Sequence, residues 1–293
     1  MNKHVLVWDL ETIPDLPCVA RVHGLDEDDQ AACREALGEK FPKLPFHQIA
    51  CIGALIAECR DGVWHVLSLG APHMGVRTEA EILDAFVRRV AEYRPQMVTF
   101  NGASFDMPVL RYRAMINRVS APGLECRRYW YRYSDDCLDL CDALACFSAG
   151  GKVSLNDLCR ALGFAGKPHD INGSEVDRYV QVGRVTEVAN YCETDVISTY
   201  RVWLVYELFR GTLTRDEFEA SEANLLEFVR ERVAAKPHLR YLLPADQSIQ
   251  SFKRVDFAAV PEGSGIASRD PPSINEAEIR VVDSQMEGSN NRQ

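Results

Sequence analysis

The decapeptide Val5–Pro14, VLVWDLETIP, decides how this chain is read. Its apolar, β-branched opening predicts a buried strand, and successive side chains of a strand point to opposite faces. Asp9 and Glu11, two residues apart, therefore leave on one side. Pro14 cannot donate to a ladder, so pairing is expected to stop just past the acids and leave them at the strand's exit, where ligands reach an α/β sheet. Two carboxylates there hold a cation or manage a proton. One solvated acid beside one helix cap is the plainer alternative that this stretch alone leaves open.

Around that strand, 293 residues with 46% hydrophobic content suffice for one large core or two small ones. No membrane span is expected, and the start MNKHVLVWDLE runs straight into the acidic strand without the apolar stretch of a signal peptide. Ten cysteines lack C-x-x-C spacing, which points to reduced thiols in a cytoplasm and away from a zinc module. A net charge of -10 argues against a passive nucleic-acid binder, whose affinity comes from Lys and Arg on phosphates. It leaves room for an enzyme that holds a polyanion through divalent metals and a local basic strip.

Residues 15–48 read as an acidic, helical insertion between prolines, expected to cover one sheet edge. IACIGALIAEC and VWHVLSLG flank Asp61-Gly62 as a hairpin. Thr78-x-x-Glu81 opens a helix over 78–93 that gathers Ile82, Leu83, Phe86 and Val90 on one face. Met97–Phe100 predicts another strand, broken at Asn101-Gly102, with Asp106 at the start of a helix beginning near Phe105. Strand, helix and further strand imply a parallel pairing added to the meander, hence an α/β fold with a mixed sheet and helices on both faces.

Between residues 111 and 133, Arg111, Arg113, Arg118, Arg127, Arg128 and Arg132 interleave with Tyr129, Trp130, Tyr131 and Tyr133. Cations there would take phosphates while rings stack bases; a solvated connection whose aromatics pack down is the alternative. CLDLCDAL predicts a short edge strand with Asp139, and SLNDLCRALGF a Ser-capped helix before the Gly166-Lys167-Pro168 loop. Helices are expected over 173–183, over 184–209, where Tyr191 and Asp195 share a face, and over 216–235. One folded domain is placed at 1–260; 261–293 reads as a disordered tail, with IRVV (279–282) the segment on which a protein partner would dock.

Asp9, Glu11, Asp106 and Asp195 are thus able to converge at the end of one sheet. Four close carboxylates repel and take up protons unless cations sit among them. Oxygen-only ligation favours Mg²⁺ or Mn²⁺, and two such ions about 3.5–4 Å apart are able to activate water for an in-line phosphoryl displacement.

The segments DLET (9–12), NGASFD (101–106) and YCETD (191–195), in this order, resemble the three exonuclease motifs of DEDD 3′-5′ exonucleases. They look most like the proofreading domain of family B DNA polymerases, and more narrowly like stand-alone bacterial proteins described as exonucleases related to that domain; the resemblance covers roughly residues 3–210. It implies a ribonuclease H-like, five-stranded mixed sheet and a DEDDy-type enzyme of DNA repair. Asp9, Glu11 and Asp195 would hold the metal that activates water, and Asp9 with Asp106 a second metal. Tyr191 would orient the attacking water, Leu10 and Thr12 would contact the terminal nucleotide, and Asn101 and Phe105 would line the strand's path. Arg127 and Arg128 are added from the basic strip. With 293 residues no polymerase body is expected, so proofreading in cis is not. The expected substrate is single-stranded DNA, cut to nucleoside 5′-monophosphates, with RNA trimming or a non-catalytic nucleic-acid scaffold as rivals.

Overall fold

In the computed structural model, which describes residues 3–166 and 173–243, the opening strand is β1 (His4–Pro14). Val5 and Val7 point into one apolar layer, while Leu6, Trp8 and Leu10 point into the other. The period of two runs without a slip through the acids, so Asp9 and Glu11 lie on the side of Val5 and Val7.

Two helices follow, α1 (Leu16–His23) and α2 (Gln30–Leu37), then the hairpin of β2 (His47–Arg60) and β3 (Val63–Gly70). Its turn, Asp61-Gly62, takes positive φ at both positions. The chain continues through α3 (Glu79–Tyr93), opened by the Thr78–Glu81 capping box, β4 (Gln96–Thr99), α4 (Asp106–Ile116) and β5 (Cys137–Asp139). It closes with α5 (Leu140–Leu144), α6 (Leu155–Ala161), α7 (Val176–Gln181), α8 (Val185–Phe209) and α9 (Arg215–Arg232).

The sheet order is β3-β2-β1-β4-β5, with β2 antiparallel to both neighbours and β4 and β5 parallel to β1. This is the five-stranded mixed sheet of a ribonuclease H-like fold. Helices α3 and α4 cover the Leu6 face; α6, α8 and α9 cover the Val5 face. At the β3 edge, α9 supplies what a further strand would: Ser221 Oγ accepts the Trp64 N–H at 2.9 Å and Asn224 Oδ1 the Val66 N–H at 2.8 Å.

Three expectations are corrected. Pairing does not stop after the acids; β1 stays on β2 through Pro14, past an irregularity between Glu11 and Thr12. What opens beside the acids is the other side, because β4 pairs only with Val5–Val7 before the chain turns away. The insertion does not cover a sheet edge, since the edges are β3 and β5. It sits at the exit of β1, where the Asp15 N–H donates to the Phe46 carbonyl at 2.8 Å, and closes its own small core of Leu16, Val19, Cys33 and Phe46. The helix expected over 173–183 is a 3₁₀ turn, Gly173–Glu175, followed by α7. All described residues fall within one compact unit, Met1–Gln247; the boundary at 260, the 261–293 tail and Lys167-Pro168 lie outside the described residues.

One buried ion cluster fastens these parts. Arg113, on α4, has a side chain only 2% exposed; it donates to Asp15 Oδ2 at 2.6 Å, to both oxygens of Glu79 and to the Pro45 carbonyl. Glu79 also accepts the Ile49 N–H of β2 at 2.8 Å. The guanidinium thus joins α4, the start of α3, β2 and the exit of β1. Arg113→Ala leaves two buried carboxylates uncompensated, and should lower the free energy of unfolding by roughly 3–5 kcal/mol in denaturant titration.

Candidate active site

The end of β1 is built from both helical layers. From the Val5 side, α8 presents Tyr191, Cys192 and Asp195. Carboxylate oxygens of Asp9 and Glu11 and the Cys192 sulfur all lie within 4.8 Å of one another, a metal-compatible cluster among the described residues. Cys192 Sγ is 3.5 Å from the Asp9 carbonyl oxygen. Such close approach depends on Gly53, opposite Asp9 on β2, where a Cβ would come 2.7 Å from that sulfur. The Tyr191 hydroxyl hydrogen-bonds Asp195, and burial, then the charges of Asp195, Glu11 and Asp9, push its phenol up. Asp9 and Asp195 also line one cavity of 320 Å³, together with Asn101, Lys152 and Thr199.

From the Leu6 side, α4 contributes Asp106 at its first residue. Asp106 Oδ1 accepts the N–H of Leu10, the residue between the two β1 acids, at 3.3 Å. Burial pushes the Asp106 carboxyl up to about 7, against backbone N–H bonds that favour the charged form. Asp9, Glu11, Asp195 and Tyr191 thus lie together near the end of β1, while the Asp106 carboxylate reaches that strand at the Leu10 N–H. Removal from water, with the Asp139 charge a smaller contribution, is the main cause of the rise at Asp106. The oxygen-rich donor set fits Mg²⁺ or Mn²⁺.

The turn after β4 is held from β5. Asn101 sits in the left-handed region at φ 65°, and at Gly102 a Cβ would come 2.8 Å from Asp106 Oδ2. Asp139 accepts the Asn101 N–H at 2.8 Å and the Ala103 N–H at 2.9 Å, while its Oδ1 caps α5 through Cys141 and Asp142. Sequence reasoning saw Asp139 only as a strand residue. It also missed Lys152, whose Nζ donates to Asn101 Oδ1 at 2.7 Å and lies 2.8 Å from Asp142 Oδ1 at the cavity wall. A lone lysine in a glycine turn carries no periodic signal.

The remaining expected residues fall in different places. Thr12 Oγ1 lies 3.0 Å from His47 Nδ1. Burial pushes the imidazole down and its Nε2 bonds the Pro42 carbonyl, so Nδ1 accepts and the Thr12 hydroxyl donates. Phe105 packs edge-on against His47 and against Phe41, a ring of the insertion that is 73% exposed and was not singled out from sequence. The Leu10 side chain is packed in the core, and its backbone N–H is what meets Asp106 between the two β1 acids. Arg127 is committed to the fold: its guanidinium binds Asp136 and the Arg94 carbonyl, and Arg128 donates its backbone N–H to Asp136. Both partners precede β5 and β4, the end of the sheet away from the acids. None of the ten cysteines forms a disulfide, and no helix among the described residues is long and apolar enough to cross a membrane.

The mixed five-stranded sheet thus carries acids from three segments toward the end of its central strand. The chain belongs to the family described as predicted 3′-5′ exonuclease related to the exonuclease domain of PolB, matched over residues 39–245. Exonuclease domains of this kind generally use divalent metal ions. The matched region includes Asp106, Tyr191 and Asp195 but begins after Asp9 and Glu11. Solved structures similar to it include E. coli exonuclease I in complex with a dA16 oligonucleotide, at 14% identity and a TM-score of 0.33, covering 77% of this chain and 45% of that one. A product-bound structure of exonuclease I aligns at 13% identity and a TM-score of 0.32, covering 69% and 46%. The chain thus spans less than half the length of either. No curated protein matches it.

Asp139→Ala should strand the Asn101 and Ala103 donors, costing roughly 1–3 kcal/mol of stability in denaturant unfolding. The more conservative Asp139→Asn, which retains one acceptor oxygen, should lose less.

Proposed function

We propose that the protein is a DEDDy-type 3′-5′ exonuclease that removes nucleoside 5′-monophosphates from single-stranded DNA with two divalent ions. The observation that carries the reading is the meeting of Tyr191 with three acids, Asp9, Glu11 and Asp195, while Asp106 reaches the same turn of β1 from the opposite layer. Asp9, Glu11 and Asp195 would hold one Mg²⁺ or Mn²⁺, and Asp9 with Asp106 the other. When bound, such ions lower the pKa of water and offset charge on the leaving oxygen.

The chain's own groups do the positioning. Tyr191, kept protonated by burial and the surrounding acids, donates to Asp195 and offers its oxygen to orient the attacking water. Water attacks the terminal phosphorus in line, the bond to the 3′-oxygen of the penultimate nucleotide breaks, and that oxygen takes up the proton the water gives up. With its proton pointed at His47, the Thr12 hydroxyl keeps lone pairs for the terminal 3′-hydroxyl. Phe105, with Phe41 beside it, presents rings on which the terminal base stacks. Ten cysteines without a disulfide fit a reducing compartment, the cytoplasm.

The test is end-labelled DNA and RNA, single and double stranded, incubated with Mg²⁺, Mn²⁺ or EDTA. Stepwise loss of mononucleotides from the 3′ end of single-stranded DNA is expected, and EDTA should stop it; products bearing 3′-phosphates, or turnover in EDTA, would overturn the reading. Asp9→Ala and Asp195→Ala should each reduce hydrolysis by at least about a thousandfold and leave the melting temperature unchanged or raised, because each relieves repulsion in the cluster. Tyr191→Phe should slow the reaction by roughly 10²–10⁴-fold, the range of a lost proton-handling group, while Mn²⁺ binding measured by calorimetry persists.

A further inference from the structure

We propose that the rings of Tyr131, Tyr133 and Phe147 form a stacking surface for unpaired bases of the substrate strand, upstream of the nucleotide being removed. This deepens the single-strand reading above and rests on it. The three rings are 48%, 60% and 42% exposed, and none joins a buried core cluster. They touch in sequence and edge to face, Tyr131 to Tyr133 with centroids 5.8 Å apart at 73° and Tyr133 to Phe147 at 4.7 Å and 67°, so each exposed ring turns a face in a different direction.

The backbone that presents Phe147 is unusual. Cys146 and Phe147 follow one another at φ 48° and 58°, in the left-handed region where a bulky side chain is a genuine outlier. Burial does not compensate this strain, since both residues are exposed. The left-handed pair closes the end of α5, with the Cys146 N–H on the Ala143 carbonyl at 3.2 Å, and so holds the Phe147 ring against Tyr133.

The surface is joined to the catalytic cavity through Asp142. The Phe147 N–H donates to the Asp142 carbonyl at 2.7 Å. The Asp142 carboxylate binds Arg132 on one oxygen and Lys152 on the other, and Lys152 lines the cavity with Asp9 and Asp195. At the far end, the Arg128 guanidinium lies 4.5 Å over the Tyr131 ring. In a chain of net charge -10, Arg128 lies against one exposed ring, and Arg132 and Lys152, both paired with Asp142, stand between the rings and the cavity. Cations and rings in series suit a single strand, with phosphates on the cations and bases on the π-faces. A duplex would present no base faces to such a surface.

The experiment uses the full-length protein and fluorescein-labelled oligothymidylates, with binding read by anisotropy in EDTA and hydrolysis in Mn²⁺. In Tyr133→Ala and Phe147→Ala, affinity for a dodecamer should fall by about tenfold for each ring removed, and the KM difference between a trinucleotide and a dodecamer should shrink by a similar factor. Tyr133→Trp should retain it. A dodecamer with abasic sites upstream should bind the wild-type protein as weakly as the intact strand binds a variant carrying both Tyr133→Ala and Phe147→Ala. Far-UV circular dichroism checks that these exposed substitutions leave the fold intact. Dodecamer affinities in the variants within about twofold of wild type, or wild-type indifference to the abasic sites, would overturn the proposal. Because binding is read without metal, a wild-type protein that binds the strand through these rings yet releases no nucleotide would refute the exonuclease reading alone; one that neither binds nor cleaves would refute both.

Discussion

A central strand buried on both faces is the constraint from which the rest of this molecule follows. Helical layers press on β1 from either side, so its register cannot slip by one residue without turning Leu6 and Trp8 into the Val5 layer and the acids into the Leu6 layer. Asp9 and Glu11 are aimed at α8 by that burial and by nothing in their own chemistry. Gly53 then allows α8 to close on the strand, and the short pairing of β4 leaves β1 without a ladder partner on that side beyond Val7.

Charge is the second organising force. Buried carboxylates are costly, and the molecule treats its two groups of them differently. Asp15 and Glu79 are satisfied by Arg113, a permanent cation, and so serve the fold. The β1 acids have Tyr191, Asp195 and Asp106 as neighbours instead, with Lys152 turned to Asn101 and Asp142 at the cavity wall. The site therefore keeps a surplus of negative charge that an exchangeable cation, rather than a side chain, is suited to fill.

The insertion between β1 and β2 belongs to this arrangement more than its acidic composition suggests. Asp15 ties its first turn to Arg113, and its return delivers His47 to Thr12 and Phe41 to Phe105. Its exposed ion pair from Arg34 to Asp177 adds little stability, since solvent screens such contacts. The buried cluster, not the surface pair, holds the insertion against the body.

Alternation in VLVWDLETIP, the Thr78–Glu81 box, the Asn101-Gly102 break and the four-residue spacing of Tyr191 and Asp195 were legible because each is local: a period, a cap or a turn. From these the sequence by itself determined a mixed α/β sheet, helices on both sides and a short set of acids able to meet. Tertiary structure alone decided that β1 pairs on past its acids, that Leu10 turns inward, that Arg127 is bound by Asp136, and that Asp139 and Lys152 hold the turn carrying Asn101. Most of those outcomes depend on partners tens of residues away, and no periodicity encodes which carboxylate a guanidinium or an amide will meet, even over the nine residues from Arg127 to Asp136.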